Sequence, residues 1–360
     1  MASKTKEDQI PSPNRIAVVT GGNKGIGLEI CRQLASNGVR VILTARDEKR
    51  GLEAVEKLKQ SGLSDVIFHR LDVTDHSSID SLSEFIKSTF GKLDILVNNA
   101  AIAGATTDYE VLRSSIVNSK TGGIPNITTQ ETYKWAEECM DTNYYGVKRV
   151  TETLIPRLLS SESPRIVNVS SHFGKLQTRE IPNIPTQETY KWAEECLDTN
   201  YYGVKRVTEA LIPRLLSSES PRIVNVSSYF GKLQFIPNES VRKEMDDVDR
   251  LTEEKNDEMV RSFLNDFKVG DLTKNNWPTT YSSYIMSKAA MGAYTRIIAK
   301  KYPAICANCV HPGYVKTDIN GNTGTMPVEE GAKGPVMAAL LPHGSPSGLF
   351  YDKTEVSSFM

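Results

Sequence analysis

A tyrosine followed four residues later by a lysine puts a phenol and an ammonium on one face of a helix. A phenol with the ordinary pKa of about 10 is a poor proton donor or acceptor at neutral pH, and a neighbouring ammonium is expected to lower that value. Such a pair suits proton exchange with a carbonyl or alcohol oxygen. With 14 tyrosines in the chain, about one such spacing is expected by chance. Three occur: Tyr144/Lys148, Tyr201/Lys205 and Tyr284/Lys288. The first two are copies of each other within DTNYYGVKRV, whereas Tyr284 and Lys288 precede the small residues AAMGA, which suit a closely packed helix. Tyr284 and Lys288 are thus candidates for proton donor and electrostatic partner.

A second constellation lies near the start. The apolar run IAVV (16–19) is followed by Thr20-Gly21-Gly22-Asn23-Lys24-Gly25-Ile26-Gly27 and then by the helical pattern LEICRQLASNG. Glycines between a strand and a helix let the backbone approach a pyrophosphate, which the free N–H groups at the helix start then bind. The second strand pattern, VILTA, ends at Arg46, where an acid would favour an unmodified ribose. Arg46, together with Lys24, is suited to a 2'-phosphate instead. Asp47 follows Arg46, yet the balance points to NADP(H) as cofactor.

The elements that position these groups include a duplication. Residues 124–177 recur at 181–234, offset by 57, with four differences in 54 positions: Thr128/Pro185, Met140/Leu197, Thr153/Ala210 and His172/Tyr229. Each copy reads as an amphipathic helix, a polar turn SSESP and a strand RIVNVSS. Removing one 57-residue period from 360 leaves 303 residues, which fits one α/β domain over 15–360 preceded by a polar tail, 1–14. One copy of the strand is expected to dock in the sheet, with the other extruded, added elsewhere or competing for the same place.

Short apolar runs (IAVV, VIL, VIF, ILV, IVNV, ICANCV) alternate with helical stretches along the chain. Strands this apolar imply a Rossmann-type, doubly wound parallel sheet covered by helices on both faces. Residues 238–280 interrupt the alternation and read as inserted surface helices, with Val248, Leu251, Met259, Phe263 and Phe267 at roughly helical spacing. Cys306 and Cys309 read as buried strand thiols rather than as half a zinc site. Lys and Arg number 43 against 44 Asp and Glu, so no global field favours nucleic acid or an anionic membrane. No apolar run is long enough to span a bilayer and the start lacks a hydrophobic leader, so a cytoplasmic protein acting on a small molecule is expected.

In this order, TGGNKGIG, LDVTD (71–75), ILVNNAA (95–101), IVNVSS, YIMSK (284–288) and HPGYVKTD (311–318) resemble the signature of the short-chain dehydrogenase/reductases. The resemblance spans nearly the whole chain. It implies that Asp72 and Val73 line the adenine, Asn99 the adjacent ribose, and Pro312, Gly313, Val315 and Thr317 the nicotinamide. It also implies the choice of Tyr284 as proton donor and Lys288 as its electrostatic partner, both touching the cofactor. It further implies a serine that holds the substrate oxygen and an asparagine that supports a proton relay. The repeat supplies each twice: Ser228 and Asn200 are preferred, with Ser171 and Asn143 as the alternatives. The insertion before Tyr284 and the ending GLFYDKTEVSSF resemble the plant members of the family that reduce terpenoid and alkaloid ketones. That implies NADPH-dependent reduction of a bulky carbonyl compound by a monomer; a site disabled by the duplication is the alternative.

Overall fold

The computed structural model describes residues 15–102, 106–107, 129–130, 138–169 and 189–360. The tail 1–14 and Ser171 lie outside the described residues. The first half alternates strand and helix as the apolar runs predict: β1 (Ile16–Val19), α1 (Gly25–Ser36), β2 (Arg40–Ala45), α2 (Glu48–Gln60), β3 (Val66–Arg70), α3 (His76–Thr89) and β4 (Ile95–Asn98). Side chains that compete with the backbone start two of these helices. Asp47 accepts from Arg50 N ahead of α2, and Asp75 from Ser77 N ahead of α3.

The first copy of the repeat supplies a π-helical turn (Asp141–Gly146) running into α4 (Val147–Leu158), then β5 (Arg165–Asn168). The second supplies α5 (Tyr190–Leu197), a π-helical turn (Asp198–Tyr202), α6 (Gly203–Leu215) and β6 (Arg222–Val226). The insertion folds as α7 (Glu239–Asp246) and α8 (Glu253–Val269), followed by α9 (Ser282–Lys301), β7 (Cys306–His311), α10 (Val328–Leu340) and the hairpin β8 (Phe350–Asp352) and β9 (Glu355–Ser357).

These strands form one sheet in the order β9-β8-β7-β6-β5-β4-β1-β2-β3, parallel throughout except for β9. Both copies of the duplicated strand are therefore in the sheet, side by side: the second is neither extruded nor in competition for one place but is added next to the first. They pair so that every residue lies beside its own copy: Arg165 by Arg222, Ile166 by Ile223, Val167 by Val224, Asn168 by Asn225. A parallel strand that satisfies β4 on one edge and β7 on the other offers its own duplicate an equally compatible edge. The sheet thus lengthens by one strand without a register conflict.

The insertion has a favourable and an unfavourable side. Asn98 donates to Asn168 Oδ1 (3.1 Å), Asn168 to Asn225 Oδ1 (3.2 Å) and Asn225 to Thr295 Oγ1 (3.0 Å), a buried amide ladder across three strands. At the other end of the same strands the buried guanidiniums of Arg165 and Arg222 become neighbours. Burial first, then repulsion from Arg15 and Arg222, pulls Arg165 down to about 9.

Two apolar layers flank the sheet. Ile30, Leu34, Ala54, Val55 and Val336 of α1, α2 and α10 cover one face. Ile79, Leu154, Leu211, Met286 and Ala293 of α3, α4, α6 and α9 cover the other. The insertion joins this second layer through Met245, Leu251, Met259, Val260 and Phe263. It is fastened by polar contacts as well: Asp257 accepts from Tyr201 Oη at 2.5 Å and Lys205 Nζ at 2.7 Å. Cys309 is buried on β7 and bonds Thr295, while Cys306 meets the Pro346 carbonyl. Among the described residues no helix is long and apolar enough to cross a membrane.

Candidate active site

A cleft of about 990 Å³ runs along the C-terminal ends of the parallel strands, where open α/β sheets hold their ligands. Its first end is the glycine turn. Gly21 and Gly25 lie in the left-handed region (φ +63° and +57°), which a side chain disfavours. Gly27 is required by packing, since a Cβ there would stand 2.3 Å from Asn99 Nδ2. The first turn of α1 carries no side-chain cap and no acidic residue, so its N–H groups face the cleft as an anion site. Asn23, Lys24, Ile26, Arg46, Asp72, Val73 and Asn99 line the cleft, as do Pro312, Gly313, Val315 and Thr317, the last of them close to Gly25. The backbone cradle, uncapped helix start and exposed Arg46 fit a dinucleotide bearing an extra phosphate.

Two assignments at this end change. The Lys24 ammonium pairs with Asp318 at 2.8 Å, across the cleft mouth, rather than standing open for a 2'-phosphate. Asn99 spends its amide on the Thr20 and Gly21 carbonyls at 2.9 and 3.1 Å, bracing the turn. Arg46, just ahead of the Asp47 cap, is exposed on the cleft wall, and Arg50 in the first turn of α2 joins it. Sequence reading passed over Arg50.

At the other end, Ser228 follows β6 and Tyr284 lies in the first turn of α9, and their hydroxyls are hydrogen-bonded. Phe230 N donates to Ser228 Oγ at 3.2 Å, which fixes that hydroxyl. Burial pushes the Tyr284 phenol above its ordinary value, and the bond to Ser228 only partly opposes this. The sequence-based expectation was the reverse, a phenol lowered by Lys288. Instead Lys288 is wholly buried behind the cleft wall, donating to the Val226 carbonyl at 2.9 Å with its ammonium 5.8 Å from the Tyr284 ring centre. Burial lowers Lys288 to about 8. Desolvation outweighs the pairwise attraction in this pocket, so the protein alone holds the phenol protonated. Lys288 does not line the cleft.

The other two Tyr/Lys pairs point elsewhere. Tyr201 and Lys205 are the anchors of Asp257 described above, and Tyr144 stacks under Arg206 (4.7 Å) while the exposed Lys148 approaches Glu152. The two asparagines also part company although both line the cleft. Asn143 clamps Ile102, accepting from its N–H and donating to its carbonyl, each at 2.9 Å. Asn200 instead donates to Ser287 Oγ at 3.3 Å, and Ser287 in turn bonds the Tyr284 carbonyl at 2.9 Å. Identical sequence one strand further along the sheet thus meets different neighbours. Tyr229, Phe230, Tyr281 and His311 complete this end and were not singled out from sequence.

A glycine-turn nucleotide cleft ending in a serine–tyrosine pair backed by lysine defines a carbonyl/alcohol oxidoreductase on a dinucleotide fold, and a short chain dehydrogenase family profile matches residues 15–184. The chain belongs to the short chain dehydrogenase family. It is 48% identical to Short-chain dehydrogenase/reductase 1 of Saponaria officinalis (96% of each chain). It is 46% identical to (+)-neomenthol dehydrogenase of Arabidopsis thaliana, over 96% of this chain and 98% of that protein. The solved structure of salutaridine reductase from Papaver somniferum is similar with a TM-score of 0.63 at 44% identity, covering 94% of this chain and all of that one.

Proposed function

We propose that this protein is an NADP(H)-dependent reductase of a cyclic terpenoid- or alkaloid-like ketone, with Ser228 and Tyr284 as the groups that handle the carbonyl oxygen. The observation that carries the reading is the hydrogen bond between those hydroxyls in the wall of a cleft that begins at the glycine turn. Relatives named for neomenthol and salutaridine support the substrate class. Arg46 and Arg50, exposed where the adenosine phosphate would lie, support NADP(H) over NAD(H).

When bound, the reduced nicotinamide supplies the hydride. Ser228 orients the carbonyl oxygen, and Tyr284, protonated at neutral pH, donates its proton as negative charge develops there. Lys288 then stabilises the phenolate through the buried field near the ring. Asn200 positions this group from behind through Ser287. On this reading the second copy supplies the catalytic serine and the positioning asparagine, while Asn143 of the first holds the loop after β4 at Ile102.

A cytoplasmic monomer is part of the reading. Five cysteines in 360 residues make no disulfide framework, which supports a reducing compartment. The insertion spreads Met245, Met259 and Phe263 over the α9 face, covering apolar surface a partner would otherwise bury. NADPH oxidation with menthone tests the activity. Turnover by the wild type that falls about 10²–10⁴-fold in Tyr284→Phe, with NADPH binding retained, is the expected result. Undiminished turnover in that variant overturns the assignment.

A further inference from the structure

Three aromatic residues stand beside the proton donor on the cleft wall: Tyr229, Phe230 and Tyr281. The Phe230 and Tyr281 rings are 5.6 Å apart at 53°, and Tyr229 and Phe230 are 6.4 Å apart at 69°. They therefore form a faceted surface, not a single stack. Tyr229 is 45% exposed, so folding leaves much of a large ring unburied at the cleft. It directly follows Ser228 and is one of the four positions at which the copies differ, with His172 in the other.

Tyr281 carries the stronger signal. Its backbone is left-handed (φ +52°, ψ +32°) at the residue before α9, three positions ahead of Tyr284. A bulky side chain is rare there, and glycine would adopt the conformation without strain. The carbonyl of Tyr281 still accepts from Ile285 N at 2.8 Å, starting the helix that carries Tyr284 and Lys288. Helix initiation needs only that backbone. The ring packs partly against the core and also lines the cleft beside Tyr284. Strained residues kept at functional sites are of this kind.

We infer that Tyr229, Phe230 and Tyr281 form an aromatic wall that takes the apolar ring face of the substrate while its carbonyl meets Ser228 and Tyr284, so that Tyr281 sets selectivity for cyclic over small acyclic carbonyl compounds. This rests on the carbonyl-reductase reading and goes further, to the part of the substrate remote from the reacting bond.

The test compares the full-length wild type, Tyr281→Gly and Tyr281→Phe. Glycine removes the ring and its packing while relieving the backbone, phenylalanine keeps the ring, and melting temperatures check that both variants fold. Two measurements are made: kcat/KM with NADPH for menthone and for butanal, and direct calorimetric binding of menthone to the NADP-loaded protein. The expected result is a menthone/butanal selectivity ratio lowered about tenfold or more in Tyr281→Gly, kept in Tyr281→Phe, with menthone binding weakened in step. Menthone binding unchanged in Tyr281→Gly overturns the wall, as does an equal change for both substrates. A wild type that binds menthone but reduces neither compound overturns the reductase reading instead, and the binding comparison still decides the wall.

Discussion

Asn168 donates to Asn225 at 3.2 Å, so one position of the duplicated segment is hydrogen-bonded to its own copy in the centre of the sheet. The same amide accepts from Asn98 of β4. Replacing Asn168 by leucine leaves Asn225 Oδ1 without a donor and takes from Asn98 one of its two acceptors, the other being Thr151 Oγ1. A loss of about 1–3 kcal/mol is expected, read as a lower denaturation midpoint with an unchanged slope.

Removing residues 124–180 deletes β5 while keeping Ser228 and Asn200. Asn225 then stands where Asn168 did, so β6 is expected to pair with β4 in the same register. Ser228 and Tyr284 move one strand spacing, about 4.8 Å, toward the glycine turn. Menthone turnover is expected to change at least tenfold, since a shift of about 1 Å at a reacting centre already changes rates about 10²-fold. Steady-state kinetics of the two forms, with folding checked by circular dichroism, decide it; equal turnover would show that the intervening strand does not set the reacting distance.

Lys288 gives the protein a specific pH response. Burial lowers its folded value to about 8, against 10.5 for an ordinary lysine. Between those values the unfolded chain holds a proton that the folded chain has released, so this group makes stability rise with pH over that window. Catalysis runs the other way. Reduction is expected to fall as pH rises through about 8, because the ammonium that supports the phenolate is lost. Lys288→Met is expected to remove that limb of the kcat profile and to flatten the stability dependence between pH 8 and 10.5.

Arg46 and Arg50 are expected to carry cofactor preference. Charge-assisted bonds to a phosphate are worth about 1.5–3 kcal/mol, so Arg46→Ala should weaken NADPH about tenfold to a hundredfold and leave NADH nearly unchanged. Lys24→Ala should change the ratio less, because its ammonium is already on Asp318. Fluorescence titration with both nucleotides measures the two effects.

Much of this was readable beforehand. The apolar runs located β1 to β7, the glycine turn located the nucleotide end, and the charged stretch 238–280 contains α7 and α8, although Val248 and Leu251 fall in the turn between them. The terminal hairpin β8–β9 escaped notice because three-residue strands with a polar tip carry little periodicity. Tyr229, Tyr281 and Arg50 were missed because nothing in their own types distinguishes them; each matters only for what it stands beside.

By itself the sequence determined the doubly wound sheet, the ends of the cleft and the Tyr284/Lys288 pair, because local pattern and side-chain chemistry carry that information. Tertiary structure alone decided the rest. Whether two near-identical strands exclude each other depends on whether both edges of each can be paired, and here they can. How Asn143 and Asn200 are bonded depends on their neighbours across the sheet, which differ although their flanking residues are the same. The direction of the Tyr284 shift depends on burial, which no spacing encodes.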